Sequence, residues 1–120
     1  MTPKIQGTSF GSIIIGEQTY NNDVLIRLDG KVEKRKKKLS KAIYGTSHTI
    51  SLDEARHIHQ EGAERLILGT GQFGLAKLSD EAAVFFKEMN CQVDALATPD
   101  ALAVWNQAEG ALIAVFHVTC

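Results

Sequence analysis

At Ser51 the hydrophobic rhythm of the chain changes, and that change limits the fold more than any other feature. Before it, apolar residues alternate with polar ones and tight-turn signals interrupt them. After it, they recur at helical spacing, separated by short wholly apolar runs. A chain of 120 residues with 44% hydrophobic content holds one core, so both halves are expected to share a single domain spanning residues 1–120.

In the first half, Gly16-Glu17 lies between two β-prone runs, with glycine first as in a type II′ hairpin turn. Val24, Ile26 and Leu28 alternate with Leu25 and Arg27, and Asp29-Gly30 predicts a type I′ hairpin. These residues read as an antiparallel β meander. Lys41 to Thr49, with Gly45 and several hydroxyl residues, reads as loop.

In the second half, Ser51 with Glu54 forms a capping-box pattern. It opens a helix on Leu52, Ala55 and Ile58 or His59, with Gly62 as the stop. "ERLILG" reads as a buried strand. Ser79 caps a second helix with Ala82, Phe85, Phe86 and Met89 on one face, and Asn90 ends it. "QVDALA" is the next strand. Thr98-Pro99-Asp100 starts a third helix that runs to about Ala108 with Trp105 anchored in the core, and "ALIAVFHV" is a last, long apolar strand. The fold class is therefore α/β of the mixed α+β kind. A central mixed sheet carries flanking helices, with the meander as a sandwich layer against it.

Charge and cysteine content narrow the functional classes. Lys31 to Lys41 holds seven of the 13 basic residues and one acid, leaving six basic residues against thirteen acids elsewhere. Lys34, Arg35, Lys36, Lys37 and Lys38 are thus a candidate surface for an acidic partner, or the charged guard of a strand edge. No aromatic residue is interleaved to stack on bases, which argues against nucleic acid. No apolar run approaches the roughly 20 residues needed to span a bilayer, so membrane insertion is not expected. Cys91 and Cys120 make no disulfide framework and no Cys-x-x-Cys pair, which suits free thiols and a cytoplasmic location.

Gly69-Thr70-Gly71-Gln72-Phe73-Gly74 has the glycine spacing of a dinucleotide-binding loop, with Asp94 downstream. Its surroundings do not fit. "LAKLS" separates Gly74 from the next helix cap, so no helix dipole points at the glycines, and no nucleotide cofactor is expected. If the strands before Gly69 and Thr98 are parallel neighbours, Thr70, Gly71, Gln72, Thr98 and Asp100 share one rim and could hold a small anion or a carboxylate. The alternative is that the glycines only turn the chain while Thr98 caps its helix. Phe73, an aromatic in the middle of a glycine loop, is either a lid over the core or an exposed contact, and burial is the expectation. His57 and His59 are two apart, which suits no shared metal ion on a helix. His117 and Cys120 are expected on opposite faces of a strand, and no serine has a nucleophile elbow around it.

The succession "FGSIIIGEQTYNNDVLIRLDGKV", His48 ahead of "ISLDEARHI", "LILGTGQFG", "ATPDALAVWN" and "FHVTC" resembles one small domain-of-unknown-function family. That family includes the adipogenesis-associated domain protein and the mitochondrial NADH dehydrogenase (complex I) assembly factor 3. The resemblance covers nearly the whole chain. Its most specific marks are Gly69-Thr70-Gly71-Gln72, Thr98-Pro99 and His117-x-Thr119-Cys120. It implies a mixed sheet with helices, an N-terminal sandwich layer and an antiparallel last strand. It implies no reaction, and its assembly-factor member works through protein contacts. The expected function is a non-enzymatic interaction or assembly module using the Thr70–Gln72 edge or the lysine ribbon. The alternative is ligand binding or catalysis at the Gly69–Gly74 loop and the Thr98 helix.

Overall fold

The computed structural model describes residues 2–120. Three antiparallel strands open the chain: β1 (Ile5–Ser9), β2 (Ser12–Ile15) and β3 (Gln18–Tyr20). Gly16 turns between the last two at φ 60° and Glu17 keeps a negative φ, the glycine-first turn expected there. The next hairpin, β4 (Val24–Ile26) and β5 (Val32–Lys34), turns differently from expectation. Only Gly30 takes a positive φ, the Gly30 N–H donates to the Arg27 carbonyl at 2.9 Å, and the Asp29 carboxylate accepts the Lys31 N–H at 2.9 Å. With its side chain satisfied that way, Asp29 stays out of the left-handed region. The loop is a type I turn closed by a left-handed glycine.

A short helix, α1 (Lys38–Tyr44), stands where a loop is expected over Lys41 to Thr49. Gly45, read as a loop residue, is its left-handed terminus at φ 70°, with its N–H on the Lys41 carbonyl. Beyond it come β6 (Thr49–Ile50), α2 (Leu52–Ile58), β7 (Arg65–Thr70), β8 (Lys77–Leu78), α3 (Asp80–Glu88), β9 (Gln92–Leu96), α4 (Thr98–Gln107) and β10 (Leu112–His117). Ser79 Oγ accepts the Ala82 N–H at 3.1 Å, and Asn90 leaves α3 at φ 55°. Met89, expected on the apolar face of that helix, lies instead at its terminus, 44% exposed, where the helix has already ended.

The central sheet has the order β5-β4-β10-β7-β9. β10 runs parallel to β7 and antiparallel to β4, so the antiparallel last strand implied by the family resemblance is true of one neighbour only. Alternation along β10 explains its central position. Leu112, Ala114 and Phe116 face Ile5, Ile13 and Ile15 of the meander together with Ala101 and Trp105 of α4. Ile113 and Val115 face Ala55 and Ile58 of α2 and Ala82 and Phe86 of α3. Each large side chain so covered contributes roughly 1.5–3 kcal/mol relative to exposure. Only a strand covered on both faces can be apolar at every position. Among the described residues, no helix is long and apolar enough to cross a membrane.

Candidate functional site

The parallel pairing of β7 with β9 brings the glycine bend and the start of α4 to one rim. Thr98 is wholly buried there, and its hydroxyl donates to the His117 carbonyl at 2.6 Å and accepts the Gly71 N–H at 2.9 Å. The Thr98 N–H returns to the Gly71 carbonyl at 2.9 Å. Thr98 is therefore not the cap of α4. The cap position is Ala97, which makes no side-chain bond, while the threonine ties three strand ends together. Thr70 is buried beside this junction, and Asp100 sits exposed in the first turn of α4.

The amides of the rim are already bonded. Gln72 N–H donates to the Thr119 carbonyl at 2.7 Å, and the Phe73 and Leu75 N–H groups both reach the Cys120 carbonyl at 3.2 Å. A Cβ on Gly71 would fall on the Cys120 carbonyl and 2.8 Å from His117 Cδ2. Residues 118–120 thus occupy the space in which the sequence suggests an anion. Gln72 extends the same knot outward. Its Nε2 donates to Thr8 Oγ1 at 3.0 Å and to the Ser9 carbonyl at 3.3 Å, while the Gly11 N–H donates to the Val118 carbonyl at 2.8 Å.

That clamp fixes the backbone beneath two aromatic rings that stand in solvent. Phe73 is 72% exposed, contrary to the burial expected of it, and stands with its ring centre 6.2 Å from that of Phe10, itself 60% exposed. The loop has its amides turned inward to the Cys120 carbonyl, and Gly71 and Gly74 both hold positive φ, so the side chain between them faces out. Leu75 in the same loop is also exposed.

Behind the rim runs a buried chain of charges that sequence reasoning missed. Arg35 donates through Nε and Nη2 to the two oxygens of Glu54, at 2.6 and 3.0 Å. Its Nη1 reaches Asp23 Oδ2 at 2.9 Å and its Nη2 the Ser47 carbonyl at 2.8 Å. Asp23 also accepts His117 Nδ1 at 2.7 Å and the Val118 N–H at 2.9 Å. Thr119 Oγ1 lies 3.2 Å from His117 Nε2, and the His48 ring meets the same imidazole edge-on. The capping box is consequently half formed. Ser51 Oγ accepts the Glu54 N–H, but the Glu54 carboxylate turns to Arg35 and Ser40 instead of returning to Ser51. Arg35 is also removed from the lysine ribbon, leaving Lys34, Lys36, Lys37 and Lys38 exposed.

Asp23, His117 and Thr119 have the order of an acid, imidazole and hydroxyl relay, with Asp23 accepting from Nδ1 and so directing the other nitrogen to the threonine. Gly71 packs the imidazole edge and the nearby amides hold the Cys120 carbonyl, so the relay and the loop together secure residues 117–120 against the rim. His57 and His59 diverge, the first to Arg27 and the second to the Phe85 ring. Among the described residues, no group of three metal-ligating side chains converges.

Burial alone would raise the Asp23 pKa. Hydrogen bonds from His117 and Val118 and the charges of His117 and Arg35 outweigh it, lowering the value from 3.8 to about 2. A depressed carboxylate pKa contributes stability above its unfolded value and loses it as pH falls through the folded one. Urea unfolding should therefore show roughly 2 kcal/mol lost through this group between about pH 5 and pH 2. Asp23→Asn should be less stable at the upper pH and should flatten that slope; an unchanged slope would show that Asp23 does not titrate in this way.

The family described as a protein of unknown function (DUF498/DUF598) matches residues 5–117. The crystal structure of the conserved hypothetical protein PH1505 from Pyrococcus horikoshii OT3 is similar at TM-score 0.88 and 28% identity, covering 98% of this chain and 99% of that one. The structure described as MT938 is similar at TM-score 0.83 and 28% identity, covering 99% and 100%. The solution structure of a Bordetella pertussis protein described as a Mth938-like domain shares the fold at TM-score 0.68 and 15% identity, covering 97% and 85%. No curated protein matches the chain.

Proposed function

Because the chain belongs to the DUF498/DUF598 family of unknown function, we propose its role from its own surface: a non-enzymatic, cytoplasmic interaction module of assembly-factor type. The observation that carries this reading is the pair of clamped, exposed rings of Phe10 and Phe73 beside exposed Leu75. Aromatic side chains bury about 150–250 Å² each when covered. Leaving two together in water forgoes that gain on folding and keeps it for association. Gln72 and residues 118–120 fix the backbone on which the two rings stand, so little backbone entropy is lost on binding. Gln72 and Thr98 act here as positioning residues. The two free cysteines suit a reducing compartment, and the resemblance to an assembly factor agrees with a role through contacts.

Phe10→Ser combined with Phe73→Ser should leave stability within about 0.5 kcal/mol of the parent, since neither ring supports the core. Quantitative affinity purification should show a reproducible partner with the parent chain and at least a roughly tenfold loss with the double variant. An identical set of partners for both proteins would refute the proposal.

A further inference from the structure

The basic bend between β5 and α1 has a geometry that its sequence does not disclose. Arg35 turns inward, and its four hydrogen bonds to Glu54, Asp23 and the Ser47 carbonyl fix the backbone of the bend from beneath. Lys34, Lys36, Lys37 and Lys38 are thereby left on the outer side, beside a concavity of about 430 Å³ that residues 34–38 line chiefly with their aliphatic stems. Among the described residues, none of these four ammonium groups forms a salt bridge with a carboxylate. The first turn of α1 contains no acid to offset them.

Four unpaired like charges on a rigid bend repel one another, and a compact polyanion would remove that repulsion while releasing the counterions they hold. We propose that this concavity binds a small, multiply phosphorylated group, of the kind carried by a polyol ring, either as a free metabolite or as a lipid headgroup. The size of the site decides against a nucleic acid strand. Five consecutive residues at one bend form a short footprint instead of a track, and no aromatic side chain lines it to stack a base. Lysine suits the task because its ammonium meets phosphate as a mobile point charge without demanding a planar fork. The site is separate from the aromatic pair and does not depend on the interaction reading.

Inositol hexakisphosphate is the first probe, titrated calorimetrically into the full chain at about 0.1 M salt, where charges beyond roughly 10 Å are screened. Vesicles of neutral lipid, with and without a phosphoinositide, form the second arm. Lys36→Ala with Lys37→Ala removes two of the four charges, while Lys77→Ala with Lys87→Ala, both exposed and outside the bend, controls for net charge. Saturable binding of the probe, weakened about tenfold by the first double variant and unchanged by the second, is the expected result. The same lysine dependence with phosphoinositide vesicles alone would assign the source to the headgroup and still support the site. No saturable binding in either arm, equal weakening by both variants, or tighter binding of an oligonucleotide than of the probe would overturn it. The lysines are exposed and Arg35 is retained, so folding of the variants can be checked by circular dichroism.

Discussion

Arg35→Ala should unfold much of the protein at physiological temperature, with a stability loss of about 3–5 kcal/mol. The guanidinium is 1% exposed and stands between Glu54, which is wholly buried, and Asp23. Removing it leaves Glu54 in a low-dielectric interior with no counter-charge and Asp23 with His117 as its remaining ionic partner. A loss of this size is a large part of the roughly 5–15 kcal/mol that holds a domain together. Arg35→Lys should also destabilise, because one ammonium cannot reproduce a fork that meets two carboxylates and a carbonyl at once. Urea unfolding decides it. Adding Glu54→Gln and Asp23→Asn to Arg35→Ala should recover part of the loss by removing the uncompensated charges. If Arg35→Ala unfolds at the parent midpoint, the buried chain of charges is not holding the fold.

Gly71→Ala should be comparably damaging for a different reason. Gly71 sits at φ 105°, a region that L side chains avoid at a cost of about 1–3 kcal/mol. The added methyl would also press on the Cys120 carbonyl and the His117 ring, and overpacking of this kind costs about 1–3 kcal/mol more. The terminal segment should be displaced from the rim, exposing His117 and releasing the loop that carries Phe73. Gly7→Ala is the control. A Cβ there meets nothing within 4 Å and the backbone angle is ordinary, so the change should be neutral within about 0.5 kcal/mol. Amide exchange at Gln72 and Phe73 should rise sharply in Gly71→Ala and remain unchanged in Gly7→Ala.

Local signals carry the second half of the fold. Ser79, Asn90 and Pro99 act within a few residues of themselves, and the apolar run of β7 leaves little choice but a covered position in the sheet, with β9 as its neighbour. The shared rim of Gly71 and Thr98 follows from that placement. α1 escapes because it lacks such signals. Its cap position is Lys37 with no side-chain bond, and Ser40 is its only fully buried residue. The chain of charges escapes because its members are far apart in sequence. Arg35 is 12 residues from Asp23 and 19 from Glu54, and Asp23 is 94 from His117. Antiparallel pairing of Phe116 with Val24 brings Asp23 beside His117, a consequence of strand order that no local pattern contains. Phe73 departs from expectation because burial is the usual fate of a large aromatic, whereas its orientation depends on two left-handed glycines and on amides bonded to Cys120.

The most direct measurement is site-specific crosslinking in the cell, with a photoreactive phenylalanine analogue replacing Phe73 and, in a second strain, Val84, which is 55% exposed on α3. The expected result is one discrete adduct from the Phe73 position that disappears when Phe10→Ser is added, with none from the Val84 position. Equal adducts from both positions, or none from Phe73, would contradict the assignment of this clamped aromatic corner as the surface through which the protein works.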